Sequence, residues 1–381
     1  MASRARFADE AGFGLPTAIL AVVIFTALAV LGIALTHQEI RTQVRETSRS
    51  IAFHAAEAGL AAGLENWNRP DILDTNESWV IDQGTLPGGA TYRVSGTMLD
   101  DGTTVQPLFA IQAEGRAPSG TIRRAGLLAT GLPFGHPVRG ALKAIGQVRV
   151  VGKAEVDGYD SIPTPWTAAC PPPGAGETGV LMSDTSKVAK QGAATIEGNP
   201  PVDEQADTTG WFNFGPYTYE EMTAIADHTL AGGTNISSGP APSYTADGKC
   251  NTSDPVNWGD PEQPGQPCHR WFPIIHATGD LTASGAGSGQ GILLVDGDFS
   301  MCGGFTFYGI IVARGSVKSC GGGFRVLGGV VSGESDLNGP GGLLSGSNRV
   351  QYSACAIDRV LSRGKAARPE AMTERPWFQT R

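Results

Sequence analysis

The longest uncharged stretch of this chain lies close to its N-terminus and limits where the rest of the chain can fold. No residue from Phe13 to Leu35 carries a charge. A helix needs about 20 apolar residues, each rising about 1.5 Å, to cross the hydrocarbon core of a bilayer. The stretch therefore predicts a transmembrane helix over residues 13–35. A cleaved secretory signal has a shorter apolar segment of about 7–15 residues and a small-residue cleavage site after it, which this sequence lacks.

A short leader, residues 1–12, precedes the apolar stretch and ends with Gly12, which Phe13 follows directly. A Gly–Phe junction immediately before an apolar helix resembles the class III leader of type IV prepilins, which prepilin peptidase cleaves on the cytoplasmic side. The resemblance implies cleavage between Gly12 and Phe13. Pilins that form the filament shaft have Glu at the fifth position after the cut, whereas this chain has Thr17 there. This difference disfavours a major shaft pilin, and an ordinary single-span anchor is the alternative interpretation.

The segment after the span predicts that the helix continues through residues 36–66, because it lacks proline and is rich in Ala, Glu and Arg. Apolar residues recur there at helical spacing and form one stripe beside a charged face. The stripe consists of Ile40, Val44, Ile51, Ala55 and Ala62. Such a stripe needs a covering surface, so we expect this part of the helix to pack on a β-sheet.

A motif of small residues within this helix carries a second resemblance. The segment 52–65 closely resembles the end of the N-terminal domain of PilX-type pilus assembly proteins. The motif consists of Ala55, Ala56, Glu57, Ala58, Gly59 and Leu60. With the leader, it implies a noncatalytic, minor-pilin-like assembly protein. The implied partners are other pilins bound through the N-terminal helix, prepilin peptidase, the inner membrane before assembly, and a tip adhesin.

The same resemblance implies a location for the chain. It would pass once through the inner membrane, with its C-terminal part exported, and reach the cell surface or pilus after assembly.

The net charge of −9 and the lack of any block rich in Lys and Arg argue against nucleic-acid binding. Glycine is unusually abundant, at 53 residues, but hydrophobic residues still make up 40% of the chain. The glycines therefore indicate special backbone shapes rather than disorder.

Residues 67–135 predict an antiparallel β-meander that completes a pilin-like unit with the helix. Alternating apolar and polar residues occur in three runs, 90–99, 107–117 and 121–131. Turn-forming residues lie between the runs, at 100–102 and 118–120.

A different pattern begins after the meander and predicts a second β-rich part. Short strands separated by single glycines are predicted in 136–160. Residues 161–272 are rich in Pro and Gly, and we interpret them as an insertion that contains one helix, 217–232. In 273–350, glycines recur every 18 residues. The repeated glycines are Gly279, Gly297, Gly315 and Gly333. An apolar strand and a glycine-rich corner in each repeat indicate stacked rungs of a short parallel β-helix.

The end of the chain, residues 351–381, predicts a helix over Ala354–Arg363 that caps the open end of the rungs. A tail follows, in which Trp377 and Phe378 are expected to pack back onto the body. The predicted fold class is therefore α+β. A long transmembrane and amphipathic helix packs on a small antiparallel sheet and is followed by a β-rich, right-handed solenoid-like domain.

The six cysteines all follow residue 169, and their even number in a part predicted to be exported indicates disulfides. Strands stacked about 4.8 Å apart allow a bridge between residues on adjacent rungs. The spacing of 18 favours Cys302 with Cys320 and Cys250 with Cys268, which leaves Cys170 with Cys355, although fifteen pairings are formally possible. Without a CxxC motif, a zinc site is the weaker alternative.

Motifs for catalysis or cofactor binding are absent from the sequence. It contains no GxSxG, HExxH, GxxxxGK[ST] or strand-to-helix GxGxxG pattern. We therefore predict no enzymatic activity, no cofactor and no metal. The alternative is a membrane-anchored β-helix carbohydrate-active enzyme or glycan-binding protein, whose carboxylates would lie on one face of the rungs. Candidates for these are Asp280, Asp296, Asp298, Glu334 and Asp336, and calcium near Asp296 and Asp298 is a further alternative.

Overall fold

The computed structural model describes residues 14–67, 76–100, 107–132, 138–215, 217–320, 323–336, 348–365, 368–372 and 377–378. Within them, the fold class is α+β, as predicted: a long N-terminal helix is followed by a β-rich body that contains two sheets.

The N-terminal helix, α1, runs from Gly14 to Glu65. It therefore joins the predicted transmembrane and amphipathic segments without a break. The hydroxyl groups of Thr26, Thr36 and Thr42 donate hydrogen bonds to the carbonyl oxygens four residues earlier, at 2.8–2.9 Å. These polar side chains are thereby satisfied within the helix itself, which suits an apolar surrounding.

The first sheet is antiparallel and begins with four strands in meander order. They are β1 (Ser78–Thr85), β2 (Thr91–Asp100), β3 (Leu108–Arg116) and β4 (Ile122–Leu132). The last three match the predicted runs. The first strand was missed by the sequence analysis because only Ile81 in it is buried, so no apolar alternation marks it. Along β3, exposure alternates as the sequence predicts, and Phe109, Ile111 and Ala113 are fully buried.

The second sheet is built from parallel strands; of those described, three are long and the others have three to five residues. The strands up to its midpoint are β5 (Leu142–Ala144), β6 (Val148–Gly152), β7 (Glu155–Asp157), β8 (Val180–Met182), β9 (Val188–Gly192), β10 (Thr195–Glu197) and β11 (Val202–Glu204). Next come α2 (Tyr219–Ala224), β12 (His228–Leu230), β13 (Thr234–Ile236), β14 (Ile274–Ala277), β15 (Leu281–Ser284), β16 (Gly287–Val295), β17 (Phe299–Cys302), β18 (Phe305–Ser319) and β19 (Arg325–Asp336). The chain ends with β20 (Arg349–Tyr352), α3 (Ala354–Arg363), β21 (Arg368–Ala371) and β22 (Trp377–Phe378).

The register of the parallel strands follows the 18-residue repeat. Ile275 of β14 pairs with Leu293 of β16, which pairs in turn with Ile311 of β18. One extra residue enters between β18 and β19, where Ile311 pairs with Val330, and a bulge then restores the spacing of 18. Successive pairings form three columns of parallel strands, and the middle column runs β11–β8–β5–β19–β18–β16–β14–β12.

The order of strands in that column differs from the predicted domain arrangement. Residues 142–204 contribute strands that pair in parallel beyond β19, since Leu142 of β5 pairs with Val330. We call the stretch of chain between one parallel strand and the next strand that pairs with it a coil. The chain then crosses to the far end at β12 and coils back toward β5. The segment 161–272 therefore contributes the strands β8 to β13 to the parallel sheet and is not a separate inserted unit. Its strands are only three to five residues long, too short to show a hydrophobic period.

A line of glycines lets adjacent coils approach closely. Gly291, Gly309 and Gly328 occupy equivalent positions and have φ angles of 114°, 136° and 141°. A methyl group on Gly309 would lie 2.2 Å from the carbonyl oxygen of Gly291 and 2.8 Å from a methyl of Val360 in α3. Any larger residue here would push the coils and the helix apart.

The helix α3 has the predicted bounds but a different position. Ser353 caps its N-terminus by accepting a hydrogen bond from the backbone N–H of Ala356 at 3.2 Å. Its buried residues Val360 and Leu361 pack with the central strands β16, β18 and β19 rather than with the end of the stack. The reason is that β20 pairs with β7, so the end of the chain is not the end of the stack.

The C-terminal strands return to the first sheet. Arg368 of β21 pairs with Leu132, and Trp377 of β22 pairs with Leu127, both on β4. The predicted helix 217–232 is also shorter than expected, because α2 ends at Ala224 and the chain re-enters the parallel sheet at His228.

Candidate functional site

Most of the exposed large apolar side chains of the described chain lie on α1. Its large apolar side chains between Ile19 and Leu35 are 49–71% exposed. Among the described residues, α1 is the one helix that is long and apolar enough to cross a membrane. A single N-terminal membrane anchor therefore fits the structure.

The second half of α1 contacts the first sheet through a face of small residues. Ala52, Ala55, Ala56 and Leu60 are at most 1% exposed, and the buried Gly59 and Gly63 lie on the same face. We call these six residues the docking face. A methyl group on Gly59 would touch Tyr92, and one on Gly63 would lie 2.7 Å from a methyl of Val94. Small residues are needed here because larger ones would lift the helix from the sheet.

Gly115 of β3 marks the closest approach between the helix and the sheet. A methyl group at this position would lie 2.1 Å from the carbonyl oxygen of Ala52 and 2.3 Å from the amide nitrogen of Ala56. Both of these are backbone atoms, which cannot rotate away. Gly115 was not singled out from the sequence, because one glycine within an alternating strand looks like any other.

The motif noted in the sequence is thus divided between two surfaces. Ala55, Ala56, Gly59 and Leu60 belong to the docking face, whereas Glu57 is exposed and Ala58 is partly buried. The contacts of the motif therefore explain its small residues by close packing.

The predicted apolar stripe lies beside the docking face, and most of it is not covered by the sheet. Ile40, Val44 and Ile51 are 51%, 58% and 40% exposed. Only Ala55 at the end of the stripe is fully buried, and Ala62 is partly buried. The expectation that the sheet covers this stripe is wrong for its large residues. Residues 17–47 of α1 are all exposed, so Ile40 and Val44 precede the part of the helix that the sheet contacts, and Ile51 lies outside the docking face. We call Ile40, Val44 and Ile51 the open stripe.

The leader residues Gly12 and Phe13 lie outside the described residues. Thr17, at the position of the shaft glutamate in the prepilin resemblance, lies in the first turns of α1.

The six cysteines form three disulfides. Cys302 is joined to Cys320 across adjacent coils with a Cα–Cα distance of 4.8 Å, and Cys250 is joined to Cys268 at the same distance. Cys170, which precedes the crossing of the chain, is joined to Cys355 in α3 at 5.7 Å. The Cys302–Cys320 disulfide is accessible, since Cys320 is exposed. The Cys250–Cys268 disulfide is less accessible, because Cys268 is fully buried.

Two of the carboxylates considered for catalysis or calcium, Asp280 and Asp298, bind backbone N–H groups of the next coil. An oxygen of Asp280 accepts a hydrogen bond from the backbone N–H of Asp298 at 2.8 Å. Asp298 accepts one from the N–H of Ser316, one coil further on, at 2.7 Å, and it also pairs with Lys318. Asp280, Asp298 and Ser316 are each 18 residues apart, so the side chains form a ladder along the repeat.

The electrostatics of this ladder follow from these bonds. Partial burial opposes ionisation of Asp298, but the hydrogen bonds from Lys318 and Ser316 outweigh it and lower the pKa of Asp298.

The other acidic candidates lie next to this ladder or on the following coil. A carboxylate oxygen of Asp296 lies 3.0 Å from His276 Nε2. Glu334 lies at the following coil, and of Asp336 the structure describes only the backbone. Within the described residues, no group of three or more His, Cys, Asp or Glu side chains is arranged to hold a metal ion.

Gln290 is a buried polar residue that the sequence analysis missed. It is fully buried in β16, and its side-chain nitrogen lies 3.3, 2.9 and 2.6 Å from the carbonyl oxygens of Cys268, His269 and Trp271. This amide fastens the segment around the Cys250–Cys268 disulfide to the parallel sheet. A glutamine in a glycine-rich strand gives no sequence signal for such a role.

No protein-family model and no curated protein sequence matches the chain. A search of solved structures found the competence-associated pilin ComZ from Thermus thermophilus, with 14% sequence identity over 88% of this chain and 98% of that chain. The TM-score is 0.24, and at this value the similarity carries no argument about fold or function.

Proposed function

We propose that this chain is a noncatalytic minor pilin or pilin-like component of a type IV pilus. In this proposal, prepilin peptidase cleaves between Gly12 and Phe13, and α1 first anchors the chain in the inner membrane. The helix then packs among the helices of other pilins, and the β-rich body is displayed on the cell surface or the pilus, with a tip adhesin as a further partner.

The observation that carries the proposal is the open stripe. A single-span anchor needs apolar residues only across the bilayer, about 20 of them. The apolar surface of α1 continues beyond Leu35 through Ile40, Val44 and Ile51, and the first sheet does not cover these side chains. Exposed apolar surface of this kind favours a protein partner. Helices of neighbouring pilin subunits would cover both the open stripe and the segment before it.

The PilX-like motif supports the same proposal through its contacts. A helix whose small residues dock closely on a four-stranded meander forms one unit with that sheet, and the N-terminal part of the helix with the open stripe is left for partners. Thr17 at the position of the shaft glutamate and a body of several hundred residues favour a minor component over a shaft subunit.

We further propose that the parallel part of the body is a short, right-handed β-helix. The support is the 18-residue register and the three columns of strands. The alternative of a carbohydrate-active enzyme on this scaffold loses support from the ladder, since the acidic side chains of Asp280 and Asp298 are engaged by backbone N–H groups of the next coil.

The experiment that tests the proposal measures incorporation into filaments. The triple variant Ile40→Gln, Val44→Gln, Ile51→Gln makes the open stripe polar without changing a buried residue. The control variant, Ile225→Gln with Val256→Gln, changes apolar residues of the parallel part that are 38% and 39% exposed. Wild-type and control chains should appear in sheared filaments, and the stripe variant should be reduced at least tenfold there at equal levels in the membrane. Equal incorporation of the stripe variant, or absence of the wild type from filaments, would contradict the proposal.

A further inference from the structure

A polar cavity lies where the chain leaves its first coils and crosses over strand β5. Its volume is about 380 Å³, within the range of small-molecule sites. The described lining combines two cationic side chains with amides, a hydroxyl and glycines. These residues, which we call the cationic pocket, are Arg139, Lys143, Gln205, Thr209, Gly210, Asn213 and Gly215.

Lys143 is the unusual member of the pocket, because lysine is rarely buried without a carboxylate partner. It is 8% exposed, and its ammonium donates a hydrogen bond to the carbonyl oxygen of Trp211 at 3.1 Å. The same ammonium lies 4.5 Å from the centre of the Trp211 ring. An ammonium has three donors, so the bond to Trp211 leaves capacity for further acceptors.

The second cation increases the charge of the pocket. Burial, together with the nearby charge of Arg139, lowers the pKa of Lys143 to about 8, so Lys143 is still mostly protonated at pH 7. The described lining contains no carboxylate. Asp207, close in sequence, is exposed and accepts a hydrogen bond from the backbone N–H of Thr209 at 2.9 Å.

Two cationic side chains in a lining without a carboxylate favour an anionic ligand. The neutral side chains of the lining indicate which further groups that ligand has. Gln205, Thr209 and Asn213 offer amide and hydroxyl groups, which suit hydroxyl groups of a ligand. Arg139 is exposed at the mouth and offers the fork of donors that matches an oxyanion, while Lys143 supplies a point charge at depth.

We propose that the cationic pocket binds a small, hydroxyl-bearing molecule through a carboxylate or phosphate group, as an acidic sugar would provide. The proposal does not depend on the filament role, because it rests only on the pocket of the β-rich body. It adds a ligand-binding function that the assembly role does not require.

The test uses the full chain in detergent and isothermal titration calorimetry at pH 7. The ligands tested are glucuronate, inorganic phosphate and glucose, which provide a carboxylate with hydroxyls, a bare oxyanion, and hydroxyls without charge. We expect at least one anion to bind and glucose not to bind. Binding of glucuronate alone would assign a carboxylate sugar, and binding of phosphate, alone or with glucuronate, would assign a phosphate-bearing ligand.

Two variants establish where the anion binds. Arg139→Gln removes an exposed cation of the pocket, so it should leave the fold intact and weaken anion binding at least tenfold. Lys190→Gln removes an exposed cation from the same parallel sheet outside the pocket lining and should leave affinity within twofold of the wild type. The proposal is overturned if neither anion binds, if glucose binds as tightly as glucuronate, or if the two variants weaken binding equally.

Discussion

The close approach of α1 to the first sheet gives a sharp prediction at Gly115. In Gly115→Ala, the added methyl group would lie 2.1 and 2.3 Å from backbone atoms of Ala52 and Ala56, whereas ordinary contacts begin near 3.4 Å. The helix and the strand must therefore separate by roughly 1 Å or more, which disturbs the whole docking face. Overpacking of this kind typically costs about 1–3 kcal/mol, and the smaller entropy of the unfolded alanine chain returns about 0.4–1 kcal/mol. Because both contacted atoms are backbone, the cost lies at the upper end, about 3 kcal/mol, and the expected net loss is about 2 kcal/mol.

Hydrogen exchange followed by mass spectrometry measures this loss locally, without assuming that a chain with two sheets unfolds in one transition. A loss of about 2 kcal/mol corresponds to roughly 30-fold faster exchange in peptides from β3 and from the docking face. Peptides from β16 and β18 should keep their wild-type rates.

Gly265→Ala is the matched control for this experiment. A methyl group there would meet nothing within 4 Å, so exchange should change by less than about twofold throughout. If β3 in Gly115→Ala exchanges within threefold of the wild type, the helix does not dock on the sheet as described.

Three further predictions concern the parallel part. Gln290→Glu replaces the buried amide donor by an acid that faces carbonyl oxygens, and we expect a loss of about 3 kcal/mol or more in urea unfolding. Because burial raises the pKa of such a carboxyl, this loss should grow as pH rises above about 4.3, and a constant loss would refute the reasoning. Mild reductant followed by alkylation should label Cys302 and Cys320 before the other cysteines, since this pair is accessible; earlier labelling of Cys268 would contradict the burial described. The pKa of Asp298 is lower in the folded state than in the unfolded state. Its ionised carboxylate therefore stabilises the fold fully at a pH above the unfolded pKa, and this stabilisation is lost as the pH falls through the folded pKa. Asp298→Asn should therefore reduce the urea midpoint at pH 7 and lose this difference in acid.

The sequence predicted the elements whose signals are local. The uncharged run and its proline-free continuation predicted α1, and alternation predicted three strands of the first sheet. The C-terminal segment also predicted a helix over Ala354–Arg363, which are the bounds of α3. In each case the residues that form the element also carry the pattern that reveals it.

The arrangement of the parallel strands could not be predicted in the same way. The repeat of glycines gave the register within 273–336, where consecutive coils are neighbours. The pairing of β5 with β19 joins residues nearly two hundred positions apart, and strands of three residues leave no period to detect. The position of α3 over the central strands follows from this pairing, so its expected place at the end of the stack was wrong as well.

The candidate functional residues also differ in whether a pattern in the sequence marks them. The sequence marked part of the docking face only as a family motif, and spacing marked the cysteines and the acidic residues of the coils, because each has a recognisable pattern. The contacts then gave the acidic residues a structural role. Gly115, Gln290 and Lys143 have no pattern of their own, since their importance comes from backbone or side chains that are distant in sequence.

The N-terminal residue of the mature chain tests the proposed pilin role most directly. Intact mass of the membrane-associated protein is compared between cells with and without prepilin peptidase. The account predicts a chain that begins at Phe13 only when the peptidase is present. A chain that begins at Met1 in both kinds of cell would contradict the pilin role and leave α1 as an ordinary membrane anchor.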